Sequence, residues 1–294
     1  METLIPPDVR SRLKDLHLHA RRAIGQRGIG NHRSHNRGVG LEFSQYRAYE
    51  PGDELRQIDW KLYARSDRFF VRESERESPL TVWLLIDTSA SMAQADQTKP
   101  HWQRLHAAQS LAACVAELAI QQGDRFGMLG LNNQQLQPLP PSHGPRGRNR
   151  LWLALNKLTA RGTFPQGEQL KPVWERIAAN DLVVLLSDGF DEAAIALAER
   201  LAKAGREVVM IQLITTEERD FPFSGGYLFR DPETGEQLPG DAKTLRADYL
   251  QRFNTAQSAL TARLAAAGIP HVRYTLGEPL DAPLRALFAQ QVRA

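Results

Sequence analysis

Between residues 81 and 275 the chain alternates short apolar runs with stretches of helical period. TVWLLID, 81–87, is an unbroken apolar run of strand length that ends on an acid. Over residues 101–122, Leu105, Ala108, Leu111, Ala112, Val115 and Leu118 recur at the spacing of one helix face, and Gly123 stands at the C-terminal stop. RFGMLGL predicts the next strand. A Pro-rich loop at 138–145, a helix through RLWLALNKL, a loop TARGTFPQG and a helix through LKPVWERIAA come next. DLVVLLSDG then repeats the opening design, a strand that runs into an acid. A helix over 195–204, the strand EVVMIQLI, a hairpin around RDPETGEQL, a long helix from about 244 to 267 and a last strand HVRYTL complete the order. Strands alternating with helices predict an α/β fold, a doubly wound, mainly parallel sheet.

In such sheets ligands bind outside the carboxyl ends of the strands, where loops and helix starts converge. Asp87 and Asp188 both stand at such ends. On neighbouring strands their carboxylates would approach within about one strand spacing and repel. A divalent cation relieves that repulsion. Residues two apart in an extended turn face the same side, so Asp87, Ser89 and Ser91 can address one ion, and their oxygens suit a hard ion such as Mg2+ or Mn2+.

Composition narrows the classes. With 294 residues, 42% of them hydrophobic, the chain can bury a full core. No run approaches the roughly 18 apolar residues of a membrane span, and the first twenty residues lack the apolar centre of a signal peptide, so the expectation is a cytoplasmic chain with no transmembrane segment. The single cysteine, Cys114, falls in an apolar helical pattern; it excludes a disulfide framework and a thiolate cluster and reads as core. The net charge of +3 is unevenly placed: the first forty residues carry eight Lys and Arg, three acids and four histidines. The run RRAIGQRGIGNHRSHNRG has no aromatic side chains interleaved for base stacking, which makes it a solvated basic arm rather than a nucleic-acid site. His17, His19, His32 and His35 have no distant His or Cys pair at zinc spacing and read as surface residues.

Asp87-Thr-Ser89-Ala-Ser91 resembles the DxSxS metal-ion-dependent adhesion site of von Willebrand factor A-type domains, and the resemblance extends over roughly 79–294. It implies that a threonine in a separate loop, here Thr163 of Gly162-Thr163, and the later Asp188 complete a divalent-cation site with Asp87, Ser89 and Ser91. Arg161 stands where that family often has glycine, and the hairpin near 224–240 is an insertion. Upstream, EFSQYRAYEPGDELRQIDWKLYARSDRFFVRESERE, 42–77, resembles the signature of the bacterial family called domain of unknown function 58, whose relatives are commonly encoded beside MoxR-type AAA+ ATPases. The implied organisation is a basic segment and signature block over 1–78, expected as a helical and β-hairpin extension, and a Rossmann-like A-type domain over 79–294. Within the block, Pro51-Gly52-Asp53 makes a turn and Ile58 and Trp60 can pack down. RFFVRESERESPLTVWLLID suggests a strand pairing with the first core strand through a turn at Ser78-Pro79. The charges Arg47, Asp53, Arg56, Asp59, Arg65 and Arg72 fit either a salt-linked surface or a docking face.

The resemblance implies a noncatalytic, metal-ion-dependent interaction module, an adaptor of a MoxR-type AAA+ ATPase, whose cation keeps an open position for a carboxylate from a partner or client. Two other classes compete. Haloacid-dehalogenase-like phosphohydrolases also place an Asp after a first strand, but they need a second carboxylate two residues later, where this chain has Ser89. Patterns of serine hydrolases, zinc proteases and phosphate loops are missing from the sequence. In a purely structural role, Asp87 and Ser89 would only cap the following turn.

Overall fold

The computed structural model describes residues 4–18, 45–50, 53, 55, 58–73 and 79–289. The expectations for the basic run at 21–38, for His19, His32 and His35, and for Pro51, Gly52 and Arg56 lie outside the described residues. Ten strands occur among the described residues: β1 Gln45–Ala48, β2 Phe70–Glu73, β3 Thr81–Asp87, β4 Arg125–Leu131, β5 Gln137–Ser142, β6 Leu182–Ser187, β7 Glu207–Ile214, β8 Gly226–Arg230, β9 Gln237–Asp241 and β10 His271–Thr275. The chain divides into two compact units, one holding the described residues of 4–18 and 80–289, the other those of 45–79.

In the larger unit six strands form one sheet in the order β10-β7-β6-β3-β4-β5, parallel except for β5, which runs antiparallel to β4. This is the expected doubly wound α/β layout. The central strands read as continuous apolar runs because both of their faces are covered. Val82, Leu84 and Ile86 point into a core shared with Leu111, Val115 and Leu118 of the helix Arg104–Gln122, whereas Trp83 and Leu85 point into a second core with Val173, Ile195 and Leu264. Cys114 is buried in the first core, where burial pushes its thiol up to about 12. Among the described residues no helix is long and apolar enough to cross a membrane.

Three expectations need correction. The division at 78/79 leaves out a contribution from the front of the chain: Leu4, Ile5, Val9, Leu13, Leu16 and Leu18 are buried in the first core, around the short helix Pro7–Arg12. The Leu18 N–H donates to Gln122 Oε1 at 2.8 Å, and Arg12 pairs with Asp281 at 2.8 Å. The spacing Ile5, Val9, Leu13 and Leu16 is amphipathic, a signal masked by the basic composition around it. Next, β2 does not pair with β3. It lies antiparallel to β1, with Tyr46 opposite Arg72 and Arg47 opposite Val71, while both edges of β3 are already taken by β4 and β6. Finally, the Pro-rich segment is not a loop but contains edge strand β5. Proline lacks the N–H that an interior ladder needs, and at an edge that N–H has no second partner to serve.

The smaller unit is held by the β1–β2 pair, a bridge from Ile58 to Val71, and the helix Trp60–Ser66. Asp59 caps that helix by accepting from the N–H groups of Lys61 and Leu62 at 2.9 and 3.0 Å. Ile58 is buried as expected; Trp60 is not, remaining 58% exposed with edge-on contacts to Tyr63 and Phe69.

Candidate functional site

From β3 the chain first crosses to β4 on one side and later returns to place β6 on the other, so the gap between β3 and β6 is the topological switch point of the sheet. The register pairs Ile86 with Leu186, which brings Asp87 beside Ser187 at the carboxyl end. Asp87 is completely buried. Its Oδ1 accepts the Ser89 N–H at 2.9 Å and its Oδ2 accepts the Ser187 hydroxyl at 2.6 Å. Burial, and then the negative charge of Asp188, pushes the Asp87 carboxyl up to about 7, against the lowering effect of those hydrogen bonds.

The 3₁₀ turn Ala90–Ala93 carries Ser91, and the Ser89 and Ser91 hydroxyl oxygens lie 3.0 Å apart, both nearly or fully withdrawn from solvent. The loop bearing Thr163 docks on this turn through backbone bonds: the Ala90 N–H donates to Gly162 O and the Arg161 N–H to Thr88 O, each at 2.8 Å. Thr163 is half-buried, its N–H donating to Asn133 Oδ1 at 3.2 Å. Gly162 sits at φ +67°, and a Cβ there would be strained and would collide with Asn133 Oδ1, the group that accepts the Thr163 N–H, so the path favours glycine.

Asp188 follows β6 and is 2% exposed. Its Oδ1 accepts the Phe190 N–H at 3.2 Å, and its carbonyl accepts Gln212 Nε2 at 2.8 Å. Its Oδ2 accepts from Arg104 Nη1 at 3.0 Å, a contact absent from the sequence reading. Arg104 opens the helix Arg104–Gln122 and is itself buried; Nη1 also donates to the Ser91 carbonyl at 3.1 Å, and Nη2 donates to the Glu218 carboxylate. Glu218 is held in turn by a capping box with Thr215, whose N–H reaches Glu218 Oε2 at 2.9 Å. The Thr-x-x-Glu pattern was visible in the sequence, but its meeting with an arginine more than a hundred residues away was not. A second residue that the sequence did not mark is Glu233, half-buried at the β8–β9 turn, where burial raises its carboxyl above the ordinary range.

The five anticipated residues thus gather around one turn: Asp87, Ser89 and Ser91 in direct succession, Asp188 across the β3–β6 gap, and Thr163 on the loop docked to the turn. The donors are all oxygens, the chemistry of a hard divalent ion. Among the described residues no three His, Cys, Asp or Glu side chains gather at metal-holding spacing, so an ion at this position would depend on the hydroxyls. No described Lys or Arg forms an ion pair with Asp87, since Arg104 serves Asp188 and Glu218. A buried carboxylate with no ion pair to a described Lys or Arg, beside two hydroxyls bonded to each other, is a donor set that fits Mg2+ or Mn2+.

Uncharacterized proteins of Mycobacterium bovis and Mycobacterium tuberculosis are each 23% identical to the chain over 232 residues, covering 78% of it and 72% of the relative. Among solved structures, the conserved hypothetical protein BatB from Bacteroides thetaiotaomicron is similar at 16% identity with a TM-score of 0.44, covering 71% of this chain and 97% of its own. The SpRpn10 VWA domain is similar at 16% identity and a TM-score of 0.41, covering 70% and 94%. The family described as "Protein of unknown function DUF58" matches residues 45–259, which include both compact units in part and every residue of the site just described, and the chain belongs to that family.

Proposed function

We propose that the chain is a noncatalytic protein-interaction module that captures a partner's carboxylate through a divalent cation, Mg2+ or Mn2+, held by Asp87, Ser89 and Ser91 with Thr163 and Asp188. The observation that carries this reading is the fully buried Asp87 at the switch point, with no ion pair to a Lys or Arg among the described residues and beside paired hydroxyls. Two acids and several hydroxyls do not satisfy a divalent ion, and the position left open attracts an external carboxylate more strongly where water is excluded. The ion would supply that attraction; the chain's residues hold and orient it. Against phosphohydrolase chemistry, Ser89 stands where the second carboxylate is required, and its hydroxyl is paired with Ser91 rather than with a base. The partner class comes from the resemblance of residues 42–77: a MoxR-type AAA+ ATPase for which the chain acts as adaptor, together with a client presenting Glu or Asp.

A second reading, a site of purely structural use, has one observation behind it: Arg104 already neutralises Asp188 from within. Partner affinity separates the two. Binding of the purified MoxR-type ATPase is measured for wild type and for folded Asp87→Ala, each with Mg2+ and with chelator. The adaptor reading expects binding to fall at least about tenfold, roughly 1.4 kcal/mol, on chelation and in the variant. Equal affinity in all four conditions rejects it in favour of the structural reading.

A further inference from the structure

From residue 125 to 167 the chain holds six Lys and Arg and no Asp or Glu, although Asp and Glu number 34 among its 294 residues. This segment folds into β4, the edge strand β5, the helix Gly144–Leu155 and the loop that follows it. The helix gives the cations a direction. Gly147, Leu151 and Leu155 recur every four residues and are buried, and Gly147 lies so close to β5 that a Cβ there would come within 2.7 Å of Ser142 Oγ. With that face packed, Arg146, Arg150 and Leu153 line the outer face at spacings of four and three, and Lys157 continues the row just past the helix end. All four are exposed, Leu153 by 52%. None of the three cations forms an ion pair among the described residues. Their placement does not favour the fold: the start of a helix is the positive end of its peptide dipoles, and Arg146 stands in a first turn that has no acid. Neither core packing nor local electrostatics accounts for an exposed leucine set among unpaired cations, whereas an external anionic surface with an apolar centre does.

We propose that the outer face of the helix Gly144–Leu155 is a docking surface for an acidic amphipathic helix of a partner protein: carboxylates at helical spacing meet Arg146, Arg150 and Lys157 while an apolar side chain covers Leu153. Charge rules out the same face of a second copy, which would set cation against cation. A nucleic acid fits less well, because Trp152 packs against the core instead of offering a ring for stacking, and Leu153 has no counterpart on a phosphate backbone. The contact calls for no metal ion and uses none of the five residues of the candidate cation site, so it stands independently of the carboxylate-capture reading.

The test uses the full chain in EDTA, so that its outcome does not depend on the cation site. The probe is a fluorescent synthetic helix of about twenty residues, rich in Glu with Leu at every third or fourth position, beside a scrambled peptide of the same composition. Binding is followed by anisotropy. Arg150→Glu should weaken the helical peptide at least about tenfold and Leu153→Ala about fivefold, while the scrambled peptide binds wild type at least about tenfold more weakly. Lys243→Glu, at an exposed lysine on the helix Ala242–Ala266, should leave the affinity unchanged. Arg146→Glu should lose at least about tenfold in binding and yet melt about 1–3 °C higher, since it removes a cation from the positive end of the helix. Loss of binding accompanied by a lower melting temperature makes Arg146 a structural residue and overturns its docking role. No binding by wild type, an equal loss in Lys243→Glu or equal binding of the scrambled peptide overturns the surface. An oligothymidylate of the same charge that binds more tightly than the peptide, and equally well in Leu153→Ala, overturns it in favour of a phosphate-binding face.

Discussion

Arg104 is the residue on which the electrostatics of the site turn. It is buried, it bonds Asp188, the Ser91 carbonyl and Glu218, and its Nε has no partner among the described residues. A guanidinium removed from such a position leaves Asp188 buried beside Asp87 without its ion-pair partner. Arg104→Ala should therefore cost about 3–5 kcal/mol of stability in the metal-free protein, and Arg104→Lys should recover little of it, because an ammonium cannot span three acceptors with a planar fork. Urea denaturation in chelator measures the loss. The same titration in saturating Mn2+ should return part of it, since an ion near Asp87 and Asp188 offsets the charge that the arginine no longer meets. The carboxylates and hydroxyls of this site were readable because three of them, Asp87, Ser89 and Ser91, fall within five consecutive residues and Asp188 ends a second strand of the same design. Arg104 and Glu218 were not readable as site residues, because each comes from a different element and contributes one side chain with nothing local to mark its destination.

At the scale of elements, the loop that brings Thr163 to the site depends on a single backbone requirement. Gly162 and Gly144 share the same φ of +67°, but a Cβ at Gly144 meets nothing, whereas at Gly162 it runs into the Asn133 amide that holds Thr163. Gly144→Ala should cost about 1–2 kcal/mol, the ordinary penalty of that conformation, and Gly162→Ala at least about 1 kcal/mol more. Thermal denaturation of the two variants isolates the steric part. Strands β3, β4, β6, β7 and β10 and the helix Arg104–Gln122 were legible because a buried parallel sheet writes itself as apolar runs and its covering helix as a clean one-face period. Elements that depart from that plan were harder. The prolines of β5 argue against a strand unless the strand is known to be at an edge, and edge status belongs to the assembled sheet. The helix Asp281–Phe288 is short, and the apolar spacing around Pro7–Arg12 is masked by its basic neighbours, so it is burial in the core that shows where both belong.

Considered as a whole, the molecule is two units, and the residues proposed to hold a cation all lie in the larger one. An ion that binds the folded larger unit and not its unfolded chain stabilises that unit alone, by roughly 2.7 kcal/mol at about 100 times its dissociation constant. Calorimetry should show the larger unit's transition moving up with Mg2+ or Mn2+ while that of residues 45–79 stays in place, and the shift should vanish in Asp87→Ala. A common shift of all unfolding, or none, contradicts the assignment. The prolines of β5 have a further consequence at this scale. Three of its six residues carry no N–H, so that margin of the sheet offers an incoming strand an incomplete ladder. Fibre growth by strand addition requires every copy to accept a neighbour on both sides. With one margin of the six-stranded sheet so weakened, strand addition to that sheet is favoured only at β10, and a sheet that recruits on one side pairs with a second copy rather than growing into an open-ended polymer.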